Sequence, residues 1–87
     1  MREIDNLDAS FSEKLHIQIG NNIKKLRKEK KISQLKLAYA IGYKSVSPIS
    51  SAEIYYNKIH FNIEQLAKIC YVLEVPLSSL FEDIIIE

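Results

Sequence analysis

The chain has 87 residues, of which 47% are hydrophobic and 26% are charged, as in one small globular domain rather than a disordered chain. One cysteine excludes a disulfide framework, and two histidines far apart in the sequence argue against a zinc module. The scarcity of glycine and proline, two of each, favours helices over a turn-rich β-sandwich. No secretory leader and no membrane-length apolar run is visible, so we expect a cytoplasmic, all-α domain.

The net charge of +1 conceals an uneven distribution along the chain. Residues 1–13 have one basic and four acidic side chains, which gives −3, and residues 61–87 have one basic and five acidic, which gives −4. Residues 14–60 have ten basic and two acidic side chains, which gives +8. A basic middle between acidic ends is the pattern expected when one face meets a polyanion, although lysine-rich helices can also simply be solvated.

The first predicted helix runs from about residue 11 to residue 30. Ser10, followed three residues later by Glu13, matches a capping box at its start. Its apolar stripe recurs at the spacing i, i+4, i+8 and i+11 and consists of Leu15, Ile19, Ile23 and Leu26.

Two short helices are predicted next. Ser33 suits the N-cap of the second, and Gly42 suits the position just after its end. The third is expected from residue 45 or 46 to Glu53, because Pro48 is tolerated only in a first turn. The buried faces of the two helices are predicted to include Leu37, Ala38, Ile41, Val46, Ile49 and Ala52.

Residues 54–61 are predicted as a loop that leads to two further helices. Asn62 and Gln65 match a capping box for the fourth, and Pro76 opens a short fifth. The fourth helix is expected to turn inward Ile63, Leu66, Ile69, Cys70 and Leu73. We therefore predict a loosely ordered arm at residues 1–10, one domain at 11–81 and an apolar tail at 82–87.

Two short helices joined at a glycine, the second with small polar side chains, describe a helix-turn-helix. Over residues 19–81 the sequence resembles the Xre/Cro-type helix-turn-helix family of phage repressors and bacterial regulators. The matching stretches are IGNNIKKLRKEKKISQLKLAYAIGYKS, ISSAE and FNIEQLAKICYVLEVPLSSLF. The resemblance implies a compact five-helix, lambda-repressor-like domain in a bacterial or phage-encoded protein.

The resemblance also implies that the third helix enters the major groove of double-stranded DNA. Arg27 and Glu53 then form a partly buried ion pair between the first and third helices, and Gln34 meets a phosphate while bracing the third helix. Contacts with DNA are expected from Gln34, Lys36, Lys44, Ser45, Ser47, Ser50, Ser51, Tyr55, Asn57 and Lys58. His60 is expected either to contact a phosphate or to cap and pack, and His16 to be structural or solvated.

The function expected is that of a sequence-specific DNA-binding transcriptional regulator, acting as a homodimer and without a cofactor. No paired carboxylates, activated nucleophile or glycine-rich phosphate loop is present, so we expect no enzyme activity. The dimer contact is predicted at the apolar residues Leu77, Leu80, Phe81, Ile84, Ile85 and Ile86. Because serines discriminate bases poorly, an interaction module that binds a protein partner and contacts DNA weakly is the alternative.

Overall fold

The computed structural model describes residues 1–86, and within them every regular element is helical. Four α-helices follow one another in the order α1 (Phe11–Glu29), α2 (Gln34–Ala40), α3 (Ser47–Glu53) and α4 (Ile63–Leu73). Three short 3₁₀ helices span Ile4–Asn6, Tyr56–Lys58 and Leu77–Phe81. The all-α prediction is confirmed, but the predicted fifth helix is a 3₁₀ helix. Glu87, the last residue of the predicted tail, lies outside the described residues.

Helix α1 begins at Phe11 as predicted, but the predicted capping box is wrong. The Ser10 side chain accepts no hydrogen bond from the helix; its backbone N–H and its hydroxyl both donate to Oδ1 of Asp8, at 2.9 Å. Lys14 pairs with the other carboxylate oxygen of Asp8. The hydrogen bonds from Lys14 and then Ser10 lower the pKa of Asp8 to about 2, so a negative charge lies beside the N-terminus of α1.

The local signals at the other helix ends are confirmed. The Ser33 hydroxyl accepts from the backbone N–H of Lys36 at 3.0 Å, and Asn62 and Gln65 form both bonds of the capping box. Gly42 has a φ of +98°, and the N–H groups of residues 42 and 43 close the end of α2 onto the carbonyls of residues 39 and 38. This is a Schellman motif, which explains why a glycine ends this helix.

The core lies where the four α-helices and the C-terminal 3₁₀ helix meet. Its buried apolar side chains are Ile19, Ile23, Leu37, Ala38, Ile49, Ala52, Phe61, Leu66, Ile69, Cys70, Leu73 and Leu80. The predicted inward face of α4 is wrong at Ile63, which is 69% exposed because it occupies the first position of the helix.

Helices α1 and α3 approach closely at Gly20. A Cβ atom at this position would lie 2.2 Å from the backbone carbonyl oxygen of Glu53, which is nearer than side chains tolerate. Gly20 therefore allows the end of α3 to lie directly against α1. This contact brings the side chain of Glu53 within reach of Arg27 on α1.

The C-terminal segment is fastened to α1 by Asn22, which is buried. Its side-chain amide donates to the carbonyl oxygens of Leu80 at 2.9 Å and Glu82 at 2.8 Å, and it accepts a hydrogen bond from Gln18 at 3.0 Å. These bonds hold the segment after the C-terminal 3₁₀ helix against the first helix. Ile84 is thereby packed against the core.

Candidate nucleic-acid interface

The buried carboxylate of Glu53 joins three helices. Its Oε2 accepts from Arg27 Nε on α1 at 3.0 Å, and its Oε1 accepts from Arg27 Nη2 at 3.1 Å. The same Oε1 accepts from Gln34 Nε2 on α2, also at 3.1 Å. Arg27 Nη1 donates to the carbonyl of Ile32, just before α2, at 2.9 Å. The expected ion pair is therefore present, and it fixes α2 and α3 relative to α1.

Both charged side chains of this network are buried. Glu53 is 2% exposed and Arg27 is 6% exposed, so neither charge is solvated by bulk water. A buried ion pair is tolerated when its remaining polar atoms are also hydrogen-bonded, and no buried side-chain polar atom within residues 1–86 lacks a partner. Gln34 connects α2 to the end of α3 through one amide proton, which it donates to Glu53.

The outer surface of α2, the following turn and α3 is polar and partly basic. Lys36, Lys44, Ser45 and Ser47 are exposed, whereas Gln34 is half-buried. Ser50 and Ser51 are also half-buried, and the Ser50 hydroxyl donates to the carbonyl of Ser47 at 3.4 Å. Ser47 is therefore the most accessible of the serines on α3.

The turn between α2 and α3 is fixed to α4. Tyr43 is half-buried against the core, and its hydroxyl is hydrogen-bonded to the side-chain amide of Gln65. Gln65 also completes the capping box at the start of α4. The residues that follow in the turn, Lys44 and Ser45, are thus held at the surface beside α3.

The loop after α3 has an unusual backbone. Tyr55, Asn57 and Lys58 have φ values of 57°, 51° and 63°, in the left-handed region that residues with a side chain rarely adopt. Asn57 and Lys58 are exposed, and Tyr55 is half-buried. The loop therefore presents Asn57 and Lys58 beside the end of α3 at the cost of backbone strain.

A stack of aromatic rings supports this loop. The ring of His16 on α1 lies 4.0 Å from the ring of His60 and 5.5 Å from that of Tyr55, measured between centroids, with interplanar angles of 25° and 10°. Burial and, secondly, the charge of His60 lower the pKa of His16, which favours its neutral form. The Tyr55 ring, a predicted DNA contact, is thus already engaged by His16.

The structure corrects one of the predicted dimer contacts. Leu80 is fully buried in the core, so its side chain is not available to a second copy. Ile84 is half-buried and packs on the core, whereas Leu77 and Phe81 are more exposed. Ile85 and Ile86 are 78% and 59% exposed and leave an apolar surface at the end of the described chain.

Three features were not recognised from the sequence. Gly20 and Asn22 look like ordinary interior positions of an amphipathic helix, because their partners are the backbones of distant segments. His16 and His60 are 44 positions apart in the sequence. No local sequence pattern predicts that their rings stack. The spacing of apolar residues along a single helix predicts none of these contacts.

Comparison with known proteins adds no family assignment. No protein-family model matches the chain, and no curated protein matches it. Within residues 1–86 there is no cluster of three or more His, Cys, Asp or Glu side chains suited to a metal ion. None of the helices in that part of the chain has the length and apolar character needed to cross a membrane.

The Glu53 network leads to a stability prediction. Glu53→Gln leaves the Arg27 charge buried and uncompensated, so we expect a loss of about 3–5 kcal/mol in the free energy of unfolding. The double variant Arg27→Met, Glu53→Met removes both charges, so its loss should be much smaller. Urea unfolding followed by circular dichroism measures both losses. Equal losses for the two variants would contradict the account.

Proposed function

We propose that this protein is a DNA-binding transcriptional regulator of the Xre/Cro helix-turn-helix type, with α3 in the major groove. The observation that carries the proposal is the buried Arg27–Glu53–Gln34 network. It fixes the orientation of α2 and α3 as a rigid pair, and a rigid pair is what placing one helix in a groove requires. The lambda-repressor-like arrangement of the whole domain is part of the same proposal.

The charge distribution supports the same function. Residues 14–60, which include most of α1 and all of α2 and α3, have a net charge of +8, whereas both ends of the chain are acidic. Electrostatic attraction to phosphates supplies nearly all of the affinity in non-specific protein–DNA binding and a large share in specific binding, and phosphate contacts orient the protein on the duplex. The acidic ends favour binding through the basic middle of the chain.

Within the proposed interface, two kinds of contact have different consequences. Lys36 and Lys44 are exposed and suit phosphates, which set affinity without reading sequence. Ser47 lies in the first turn of α3 and is exposed, so it is the serine best placed to meet a base edge. Ser50 has its hydroxyl proton committed to the helix backbone and therefore contributes less.

Substitution of the lysines tests the phosphate contacts. Lys36→Gln and Lys44→Gln should each weaken binding to all duplexes alike and reduce the slope of log K against log salt by about one. Ser47→Ala should instead change which sequence is preferred. Lys68→Gln on α4 is the matched control, since Lys68 is exposed but lies in the acidic C-terminal part of the chain. An equal effect of all three lysine substitutions would refute the proposed interface.

We further propose that the protein binds DNA as a homodimer through the tail surface, which we define as Leu77, Phe81, Ile85 and Ile86. These side chains are exposed and lie close together in the sequence near the C-terminus. Ile86 lines a common groove with residues 1–4, 6 and 7, so the exposed Ile4 adjoins the tail surface. A two-fold dimer would contact two half-sites about 34–36 Å apart.

The dimer proposal predicts a specific loss of association. The double variant Ile85→Ser, Ile86→Ser should raise the dimer dissociation constant at least about tenfold, because burying two isoleucines contributes more than about 1.4 kcal/mol. Sedimentation equilibrium measures this constant. Ile63→Ser on α4 is the control, because Ile63 is similarly exposed but distant in the sequence from the tail. An unchanged dissociation constant in the double variant would exclude the tail surface.

The second candidate function is an interaction module that binds a protein partner. Two observations favour it: α3 offers only serines as polar side chains outside its buried Glu53, and apolar side chains are exposed in the tail surface and at Ile54 and Ile59 of the loop. Such a protein would show at most weak, salt-sensitive DNA binding without sequence preference.

A further inference from the structure

His60 follows Lys58 by two residues, at the end of the strained loop, and its ring stacks on that of His16 on α1. The two rings are 4.0 Å apart between centroids and nearly parallel, so neither points its nitrogen lone pairs at a common point between them. Lone pairs of imidazole lie in the ring plane, and two stacked rings therefore do not chelate one metal ion. The stacked arrangement of these two histidines therefore does not suit a metal site.

One hydrogen bond decides which nitrogen of His60 carries a proton. Nδ1 of His60 lies 2.9 Å from the carbonyl oxygen of Lys58. A carbonyl oxygen only accepts, so Nδ1 must donate, and in the neutral ring Nε2 is then a bare acceptor. The Nε2 atom has no hydrogen-bond partner within the described part of the chain, and the residue is exposed. Neutral His60 therefore cannot donate to a phosphate, whereas protonated His60 can.

The surroundings of His16 favour the neutral form of its ring. Burial and, to a smaller extent, the neighbouring imidazole of His60 lower the pKa of His16. A neutral ring stacked on an imidazolium offers it an aromatic face, and the Tyr55 ring lies 6.1 Å from His60 on the loop side. The nearest charged residues along each contributing element are Lys14 and Glu13 on α1, Lys58 in the loop and Glu64 in the first turn of α4.

We propose that His60 is a further DNA contact, which donates from Nε2 to a backbone phosphate next to Lys58 and takes up one proton from solvent when DNA binds. His16 is the positioning residue, since its ring holds the imidazole of His60 in place. This inference rests on the proposed DNA-binding function and adds a proton-linked term to it. Operator sequence does not matter for a phosphate contact, so any duplex serves as a probe.

Uptake of a proton on binding means that the affinity for DNA falls as the pH rises. The added contact requires the protonated imidazole, because Nε2 of the neutral ring is an acceptor, so raising the pH removes the contact. Binding coupled to one proton per protomer changes affinity by at most tenfold per pH unit. We expect the affinity for a mixed-sequence duplex of about 20 base pairs, at about 50 mM salt, to fall about tenfold between about pH 6 and pH 8.

The test compares this pH profile in the full-length protein and its variants by fluorescence anisotropy. His60→Gln retains a neutral donor and should give a flat profile, and His60→Asn, which can keep the bond to the Lys58 carbonyl, should be equally flat. His16→Phe retains a stacking ring and should keep the wild-type slope. His16→Ala removes the ring and should lower the affinity at about pH 6 toward that of His60→Gln. Circular dichroism establishes that each variant is folded.

Calorimetry in two buffers of different ionisation enthalpy counts the protons directly. At about pH 7 we expect net uptake of up to one proton per wild-type protomer, and essentially none for His60→Gln. If the wild type and His60→Gln show the same pH slope and proton count, the inference is wrong and the proposed function is unaffected. If the wild type binds no duplex at any pH, the proposed function and this inference both fail.

Discussion

The fold depends on one buried carboxylate. Glu53 ends α3, and its two oxygens accept hydrogen bonds from Arg27 on α1 and Gln34 on α2, so three helices share one charged group. The missing side chain at Gly20 allows α3 to come close enough to α1 for this contact. Because removing one partner leaves a buried charge uncompensated, the three helices are strongly constrained to one mutual arrangement.

This constraint determines what the surface can do. With their inner faces held by Glu53 and the apolar core, α2 and α3 expose Lys36, Lys44 and Ser47 on a fixed scaffold. Lysines attract phosphates in any sequence, while a serine reaches only a short distance toward a base. The proposed regulator therefore depends heavily on backbone contacts and on DNA shape. We propose that the strained loop after α3, which exposes Lys58, adds affinity through a further phosphate contact.

The sequence predicted the elements whose causes are local. Apolar spacing together with the cap, glycine and proline signals placed all four α-helices to within a few residues, and the Asn62–Gln65 capping box and the C-terminal glycine of α2 are present. The pair of Arg27 with Glu53 was expected only through the family resemblance. The Ser10 capping box failed because the carboxylate of Asp8 takes both Ser10 donors.

The remaining contacts could not be predicted because they join distant segments. Asn22 is bonded to the backbone of residues 80 and 82, and this contact brings the C-terminal segment onto α1. Leu80 is consequently buried in the core instead of being available to a partner. The stack of His16 on His60 depends on how the loop returns over α1, which no helical periodicity encodes.

The most direct test of the central claim is selection of duplexes from a random pool by the purified protein at near-physiological salt, followed by sequencing of the retained DNA. The proposed function predicts one enriched motif with two-fold symmetry and half-sites about one helical turn apart, as expected for a dimer with α3 in the major groove. Retention of no DNA, or of DNA without sequence preference, would contradict it and favour a protein-binding module.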